Sequence, residues 1–280
     1  MRSAITICLV PEAASGPFVF HGDLDQGCHQ AAALGFDGVE IFAPGPESLP
    51  ADPVAAILRR HGLGLAALGS GAGFLKHKLS LTSADAIVRR RARQFLKEMI
   101  LAGGRLGAPV ILGSMQGRHE GEVTRVQALD WLAEAVAELA DVAGEMGQHF
   151  LVEPLNRYET NLFNRQAEAA EFLRRRGIGN VGILCDLFHM NIEEADMASA
   201  VVACGDRVRH VHWADSNRWA MGFGHTDFRG IVAALGAIGY EGFLSAEVFP
   251  LPTAVAAARR TIDSLREVAA GKPGPLPGKR

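Results

Sequence analysis

The stretch "LVEPLNRYET", residues 151–160, ends an apolar run on a carboxylate. Leu151 and Val152 lead into Glu153, and Pro154 follows at once. A short apolar run is typical of a buried strand. Proline has no N–H to donate to the strand ladder, so the strand is expected to end at Pro154. The pattern therefore predicts a strand whose carboxyl end presents Glu153, followed by a polar segment.

The same arrangement recurs three times further along the chain. "GILCD" ends on Asp186, "RHVHW" carries His212, and "LSAEVF" carries Glu247. Each lies about one strand-and-helix unit after the one before it. Four consecutive strands thus present a carboxylate or an imidazole near the carboxyl end, where α/β barrel enzymes keep their sites.

Short β-rich segments alternate with amphipathic segments over the whole chain. The candidate strands lie at 4–10, 38–42, 64–70, 109–114, 149–155, 181–186, 208–215 and 242–249. Between them apolar residues recur at helical spacing, most clearly over 122–147. Eight such units predict an α/β fold, a (β/α)8 TIM barrel, as a single domain over residues 1–270, with 271–280 as a flexible C-terminal tail.

The rival architecture is a doubly wound open sheet, which binds phosphate at a glycine-rich turn after a strand. The glycine pattern "GLGLAALG" at 62–69 precedes a candidate strand instead of following one. The turn after the first candidate strand has no such pattern either. The barrel is therefore favoured.

One helix has recognisable ends in the sequence. Asn164 precedes the segment "RQAEAAEFLRRR", and Gly177 follows it. Asparagine is a common N-cap and glycine a common helix stop. The pattern predicts a helix capped by Asn164 and ended at Gly177.

The composition is that of a globular protein without a strong charge bias. Hydrophobic residues make up 48% of the 280 residues, which is enough for a sizeable core, and the formal net charge is −3. This charge gives no reason to expect a nucleic-acid partner, and no apolar run approaches the roughly 20 residues of a membrane helix. The N-terminal segment is typical of a first strand and not of a signal peptide, and the four cysteines show no CxxC spacing. We therefore predict a cytoplasmic protein with reduced cysteines and without nucleic-acid or membrane partners.

In a closed barrel Glu153, Asp186, His212 and Glu247 would converge on one rim. Carboxylates crowded into one mouth repel one another, and a cation resolves that conflict. Oxygen and nitrogen donors without thiolate suit Mn²⁺, Co²⁺ or Mg²⁺, with Zn²⁺ as a further candidate. We predict one divalent metal ion per chain, with Mn²⁺ as the first choice. His210, two residues before His212, is predicted to be a hydrogen-bonded core histidine.

The motifs "EPLNRYET", "CDLFHMNIEE", "HVHWADSNRW" and "AEVF" together resemble the ketose 3-epimerase group. This group comprises the relatives of D-tagatose 3-epimerase and D-psicose 3-epimerase within the xylose-isomerase-like TIM barrels. The resemblance extends over nearly all of residues 1–270, and the motifs "LSLT", "GRHEG" and "ADSNRWAMGFGHTDF" resemble its keto-uronate branch, such as 5-keto-L-gluconate epimerase. It implies a metal-dependent epimerase of a ketose or keto-uronate that abstracts a proton next to the carbonyl and forms an enediolate.

The resemblance also implies roles for individual residues. Those that match the family's metal ligands are Glu153, Asp186, His212 and Glu247. The two glutamates among them also match its acid/base pair. Those that match its substrate contacts are Glu159, His189 and Arg218. The implied partner is a small sugar or sugar acid, and relatives often form dimers or tetramers, which leaves a homo-oligomer open.

Other functions stay open at this point. An aldose–ketose or hydroxypyruvate-type isomerase would use the same parts for a C1–C2 proton shift. An endonuclease IV-like nuclease shares the barrel but needs several metals and a basic groove, against which the net charge of −3 counts. A non-catalytic sugar-binding barrel is disfavoured because each candidate catalytic position carries a competent residue. Arg118 or His119 could meet a substrate carboxylate, although a solvated loop charge is the simpler interpretation.

Overall fold

Eight parallel strands form a closed barrel in the computed structural model, which describes residues 1–269. The strands are β1 (Arg2–Cys8), β2 (Phe20–His21), β3 (Gly38–Phe42), β4 (Gly64–Gly69), β5 (Val110–Leu112), β6 (Phe150–Val152), β7 (Val181–Asp186), β8 (Val208–His212) and β9 (Phe243–Ala246). They pair in the order β1-β3-β4-β5-β6-β7-β8-β9, and β9 pairs back with β1. The ninth strand, the short β2, pairs with the carboxyl end of β1 and lies outside the closed ring of eight. The predicted (β/α)8 barrel is confirmed, while the predicted tail at 271–280 lies outside the described residues.

Six of the eight barrel strands end earlier than the sequence predicted, while β3 and β7 end where it predicted. The ladder stops one residue before Glu153 and one residue before Glu247, while Asp186 and His212 are the last residues of β7 and β8. Apolar residues such as Leu155 continue beyond the ladder because they are buried in the loops. The four residues therefore stand at one rim of the barrel, where the parallel strands end.

Helices surround the barrel. Within residues 1–269 they are α1 (Leu24–Leu34), α2 (Ala51–His61), α3 (Ala72–His77), α4 (Ala86–Leu106), α5 (Arg125–Glu145), α6 (Gln166–Arg175), α7 (Leu187–Glu193), α8 (Met197–Cys204), α9 (Phe228–Ala237) and α10 (Ala254–Ala269). The clearest predicted helix is α5, which begins with a reciprocal capping box between Thr124 and Gln127.

The start of α6 differs from the prediction. Asn164 does not cap this helix, because its side-chain amide donates to the carbonyl oxygens of Leu155 and Thr160 at 2.7 and 3.1 Å. Arg165 precedes the first turn and makes no side-chain cap. The amide is used to fold the loop after β6 instead. The predicted stop is confirmed, since Gly177 has a φ of 65° directly after the helix.

Apolar side chains pack both outside and inside the barrel. The large core lies between strands and helices and includes Cys185, which faces away from Asp186 as predicted by strand alternation. Inside the barrel, a separate apolar cluster consists of Ala67, Ile111, Leu151 and Leu184. This cluster fills the inside of the barrel below the strand ends, so the residues at the rim lie on packed apolar side chains.

The two loops that follow β4 and β5 contact each other. In the first, at 71–83, the Thr82 hydroxyl donates to the carbonyl oxygens of Gln116 and Arg118 in the second, at 3.0 and 3.1 Å. The two loops therefore form one wall of the mouth.

The four cysteines, Cys8, Cys28, Cys185 and Cys204, are all free and buried. Burial raises the pKa of each of these thiols, so they are held as neutral thiols at ordinary pH. No helix within residues 1–269 combines the length and the apolar character that a membrane crossing requires.

Candidate metal and active site

The four residues predicted as metal ligands stand side by side at the rim. Measured from Nδ1 of His212, carboxylate oxygens of Asp186, Glu153 and Glu247 lie at 3.2, 3.4 and 3.8 Å. Even the most exposed of these side chains, that of Glu247, is only 13% accessible. Three carboxylates thus surround one imidazole nitrogen in a nearly dry environment, where their mutual repulsion is strong.

Glu153 is held in place by β5 and the turn after it. Its backbone N–H donates to the carbonyl oxygen of Leu112 at 3.0 Å, and its own carbonyl oxygen accepts from the Gln116 amide at 2.9 Å. A Cβ atom at Gly113 would come within 2.6 Å of Glu153 Oε2. A larger residue at this position would therefore force the carboxylate to move.

The two carboxylate oxygens of Asp186 have different partners, one in the backbone of α7 and one in the candidate metal site. Oδ1 caps α7 by accepting from the backbone N–H groups of Phe188 and His189, at 2.8 and 3.2 Å. Oδ2 faces Nδ1 of His212. Burial alone would raise the pKa of Asp186, but the attraction of His189 and the hydrogen bond with His212 hold that pKa below its ordinary value.

The pKa of Glu247 is shifted in the opposite direction, upward. Burial raises the pKa of Glu247 to about 7, although the positive charge of Arg218 opposes the shift. The negative charges of Glu153 and Asp186 add to it. Glu247 is therefore a carboxyl group that can exchange a proton near neutral pH.

Neighbouring carboxylates also shift the pKa of His212. Burial alone would lower the pKa of His212, but the charges of Glu40 and Glu247 raise it well above its ordinary value. The rim therefore attracts positive charge at this point. A bound divalent cation would supply that positive charge.

His189 lies in α7 with its ring directed toward the same site. Its Nδ1 accepts the backbone N–H of Asn156 at 3.3 Å and lies 2.7 Å from the Asn156 amide nitrogen. When Nδ1 is an acceptor, the proton of the neutral ring is on Nε2. That nitrogen lies 3.8 Å from Asp186 Oδ2 and 4.0 Å from Glu153 Oε1. Asn156 thus makes His189 a hydrogen-bond donor toward the site.

Arg218 enters the site from the loop after β8. Its guanidinium donates to the carboxylate of Glu247 and lies 3.7 Å from Asp186 Oδ2 and 3.9 Å from Glu159 Oε1. The ring of Phe188 lies under it, 5.0 Å from the guanidinium carbon to the ring centroid. Arg218 is therefore fixed between carboxylates and an aromatic face.

The loop that carries Arg218 is organised by Asp215. This side chain is 1% exposed. Its carboxylate accepts backbone N–H groups at 2.7 to 3.0 Å, from Ser216, Gly222, Gly224 and Thr226. Burial alone would raise the pKa of Asp215, but these hydrogen bonds lower it. Arg218 itself has a φ of 59° and donates its N–H to the Asp215 carbonyl at 2.8 Å.

We expect Asp215→Asn to lower the free energy of unfolding by about 2 kcal/mol at pH 7, because the amide group would turn a donor toward backbone donors. A carboxyl with a lowered native pKa stabilises the fold above the unfolded pKa of about 4, and the stabilisation is lost at lower pH. Urea unfolding of both proteins should show the difference shrinking as the pH falls below about 4. Asp227→Asn is the matched control, since Asp227 caps α9 and asparagine caps equally well. Equal stability of wild type and Asp215→Asn at pH 7 would contradict this account.

The donor set fits the predicted ion. Glu153, Asp186 and His212 each offer one donor atom, and these atoms lie within 4.8 Å of one another. Glu247 reaches the same imidazole nitrogen at 3.8 Å. Carboxylate oxygens with one imidazole suit Mn²⁺, Co²⁺, Mg²⁺ or Zn²⁺.

The structure brings all the predicted site residues together. Those that line one open pocket at the mouth are Glu153, Glu159, His189, His212, Arg218 and Glu247. Asp186 is fully buried beside His212. Arg118 does not line this pocket: it is exposed and donates to the Tyr158 carbonyl at 3.2 Å.

Three supporting residues were missed by the sequence analysis. Asn156 orients His189, Asp215 organises the loop of Arg218, and Glu40 lies under His212. Glu40 carried a usable signal, because a charge inside the apolar strand "GVEIF" must be paired when buried. Asn156 and Asp215 carried none, since polar residues in loops are usually solvated.

Comparison with known proteins agrees with this geometry. The family described as "Xylose isomerase-like TIM barrel" matches residues 28–268. The chain belongs to this family. Its match runs from within α1 to within α10, which includes strands β3 to β9 and all seven predicted site residues.

Within the family, the relatives are sugar epimerases. A ketose 3-epimerase of Arthrobacter globiformis is 33% identical over 218 residues, which are 77% of this chain and 74% of the relative. A 3-dehydro-D-guloside 4-epimerase of Escherichia coli is 34% identical over 113 residues, 40% of this chain and 43% of the relative. The solved structure of an L-ribulose 3-epimerase is 26% identical with a TM-score of 0.82, covering 96% of this chain and 95% of that one. The predicted membership of the ketose 3-epimerase group is confirmed, and with it the prediction of a sugar epimerase or isomerase.

Proposed function

We propose that the protein is a metal-dependent epimerase that inverts a carbon next to the carbonyl group of a ketose. The observation that carries this proposal is the placement of two glutamates around one point. Glu153 follows β6 and Glu247 follows β9, with β7 and β8 between them in the barrel. Both carboxylates approach His212 Nδ1, at 3.4 and 3.8 Å. Inversion needs a base on one face of the carbon and an acid on the other, and this pair can supply both.

The residues that would hold the ion are Glu153, Asp186, His212 and Glu247. A bound divalent cation supplies Lewis acidity, which stabilises negative charge as it develops on a carbonyl oxygen. Mn²⁺ is our first choice, and Co²⁺, Mg²⁺ and Zn²⁺ are compatible with the same donors.

The chain's own residues supply the proton transfers and the substrate contacts. One of the two glutamates removes the proton from carbon, and the other returns a proton to the opposite face. His189, with its proton on Nε2, donates to a substrate oxygen, and Arg218 compensates negative charge beside it. Glu159, whose side chain is 39% exposed, accepts from a substrate hydroxyl.

The charge of the lining favours a neutral sugar. Arg218 is the only guanidinium or ammonium group among the described residues that line the pocket. It already donates to Glu247 and lies near Asp186 and Glu159. A keto-uronate would bring a further carboxylate without a free cation in the lining to pair with it. We therefore propose a ketose, rather than a keto-uronate, as the substrate.

Incubation of the protein with Mn²⁺ and a ketose in D₂O is expected to place deuterium on the inverted carbon. The solvent enters because the glutamate that gives back the proton exchanges it with water. NMR of a panel with L-ribulose, D-psicose, D-tagatose and D-tagaturonate would record both the new epimer and the labelled position. No exchange with any member of the panel, in the presence of Mn²⁺ or Co²⁺, would contradict the proposal.

The labelled position separates the remaining alternatives. Deuterium at C3 indicates a 3-epimerase, and deuterium at C4 indicates a 4-epimerase. An aldose–ketose isomerase would instead produce an aldose with label at C2. Cleavage of abasic-site DNA by the Mn²⁺-loaded protein, without exchange into sugars, would indicate the nuclease. The predicted homo-oligomer and cytoplasmic location stay predictions.

A further inference from the structure

A buried carboxylate lies behind His212, inside the barrel. Glu40, in β3, is 1% exposed, and its Oε2 lies 2.7 Å from Nε2 of His210. Its Oε1 accepts from the Thr6 hydroxyl at 3.2 Å. A buried carboxylate with several fixed partners cannot turn freely, so the position of its free lone pairs is set by the fold.

His212 stands between this carboxylate and the rim. Nδ1 lies within hydrogen-bond distance of Asp186 Oδ2, at 3.2 Å, and also faces the carboxylates of Glu153 and Glu247. A metal ion bound at Nδ1 would replace that hydrogen bond, which requires the ring proton to be on Nε2. Nε2 is buried and has no hydrogen-bond partner, yet Glu40 Oε1 lies only 3.3 Å away. Buried ring nitrogens without a partner are rare and costly, so the position of Glu40 calls for an explanation.

We propose that Glu40 is a positioning residue that holds the His212 proton on Nε2 and thereby keeps Nδ1 free as a metal ligand. A neutral imidazole binds a metal through its unprotonated nitrogen, and an acceptor behind the ring decides which nitrogen that is. Glu40 borders the base of the pocket, but its carboxylate faces Nε2 of His212, whereas the rim carboxylates face Nδ1. It acts through His212, and the inference rests on the metal site of the proposed function.

The contacts of His210 argue against a second ion at this place. Glu40, His210 and His212 also form a group whose donor atoms lie close together. However, the 2.7 Å between His210 Nε2 and Glu40 Oε2 is the distance of a direct hydrogen bond. His210 therefore serves as a clamp on Glu40, which agrees with its predicted character as a hydrogen-bonded core histidine.

The test combines metal affinity with the protonation of the ring. Titration of metal-free protein with Mn²⁺, followed by the electron paramagnetic resonance of the free ion, gives Kd for wild type, Glu40→Gln and Glu40→Asp. We expect Glu40→Gln to raise Kd by about 10- to 100-fold, and Glu40→Asp to recover part of the loss because it keeps a carboxylate. In ¹⁵N-histidine-labelled wild type loaded with Zn²⁺, we expect a proton on Nε2 of His212 and none on Nδ1.

Ser264→Ala is the matched control. It removes the hydrogen bond from Trp213 Nε1 to Ser264 Oγ, 3.0 Å long, beside His212 but on the outer face of β8. This variant should lower stability and leave Kd for Mn²⁺ within about threefold, because outward packing does not touch the ring. A comparable rise of Kd in this control would reduce Glu40 to a merely structural role and overturn the inference.

The possible failures are distinguishable. If Glu40→Gln binds Mn²⁺ as tightly as wild type, or if Zn²⁺-loaded wild type carries the His212 proton on Nδ1, this inference is overturned while the metal site stands. The wild-type spectrum decides the matter even when no Glu40 variant folds. If wild type binds neither ion, the inference and the proposed function fail together. Metal binding without deuterium exchange overturns only the proposed function.

Discussion

Glu247→Gln is expected to lower the rate of deuterium incorporation by about a thousandfold or more at pH 7. Glutamine has nearly the same shape as glutamate, but its amide cannot take up the proton from carbon. The measurement is the initial rate of exchange into the preferred ketose with saturating Mn²⁺. Metal content is determined in parallel, because the substitution also removes one proposed ligand.

Glu153→Gln should show a loss of similar size, since each turnover uses both carboxylates. The double variant is expected to be little worse than either single one, because residues that act as a unit give non-additive losses. Glu241→Gln is the matched control: Glu241 is exposed near the other end of β9 and should leave the rate within about twofold. Exchange by Glu247→Gln within tenfold of wild type, with metal bound, would contradict the acid/base role.

Removal of the divalent ion is the second change for which we expect a large effect. A strong chelator followed by gel filtration should reduce exchange to background, because a bound divalent ion would supply the Lewis acidity for charge that develops on the carbonyl oxygen. Added Mn²⁺ or Co²⁺ should restore it. A cation present at a thousandfold excess over Kd stabilises the folded state by about 4 kcal/mol, so the metal-free protein should unfold on the order of 10 °C lower.

Asp186→Asn provides the comparison for this experiment. It removes one carboxylate from the rim but leaves an asparagine, which can still cap α7. Chelation should therefore change the unfolding temperature of this variant far less than that of wild type. Full activity after chelation, with the metal content verified as negligible, would show that the chemistry does not need an ion.

The sequence predicted the strands and the rim residues well for a physical reason. Apolar runs that end on Glu153, Asp186, His212 and Glu247 are local patterns, and parallel strands in a closed barrel bring equivalent ends together. The ends themselves were overestimated, because apolar residues such as Leu155 are buried beyond the last ladder hydrogen bond.

The supporting residues lay beyond prediction because their roles depend on contacts across the fold. Glu40 meets His210 across a separation of 170 residues, and no local spacing records that pairing. Asn164 is the converse case, in which a local signal was present but a contact within the folded loop overrode it. Its local sequence indicated a helix cap, but the carbonyl of Leu155, nine residues earlier, takes its amide instead.

Asp186 constrains how this site could be redesigned for another ion. One of its oxygens begins the helix that carries His189, and the other faces His212. A longer or softer side chain here would move the start of α7 and displace His189 together with it. Engineering of metal preference should therefore leave Asp186 unchanged.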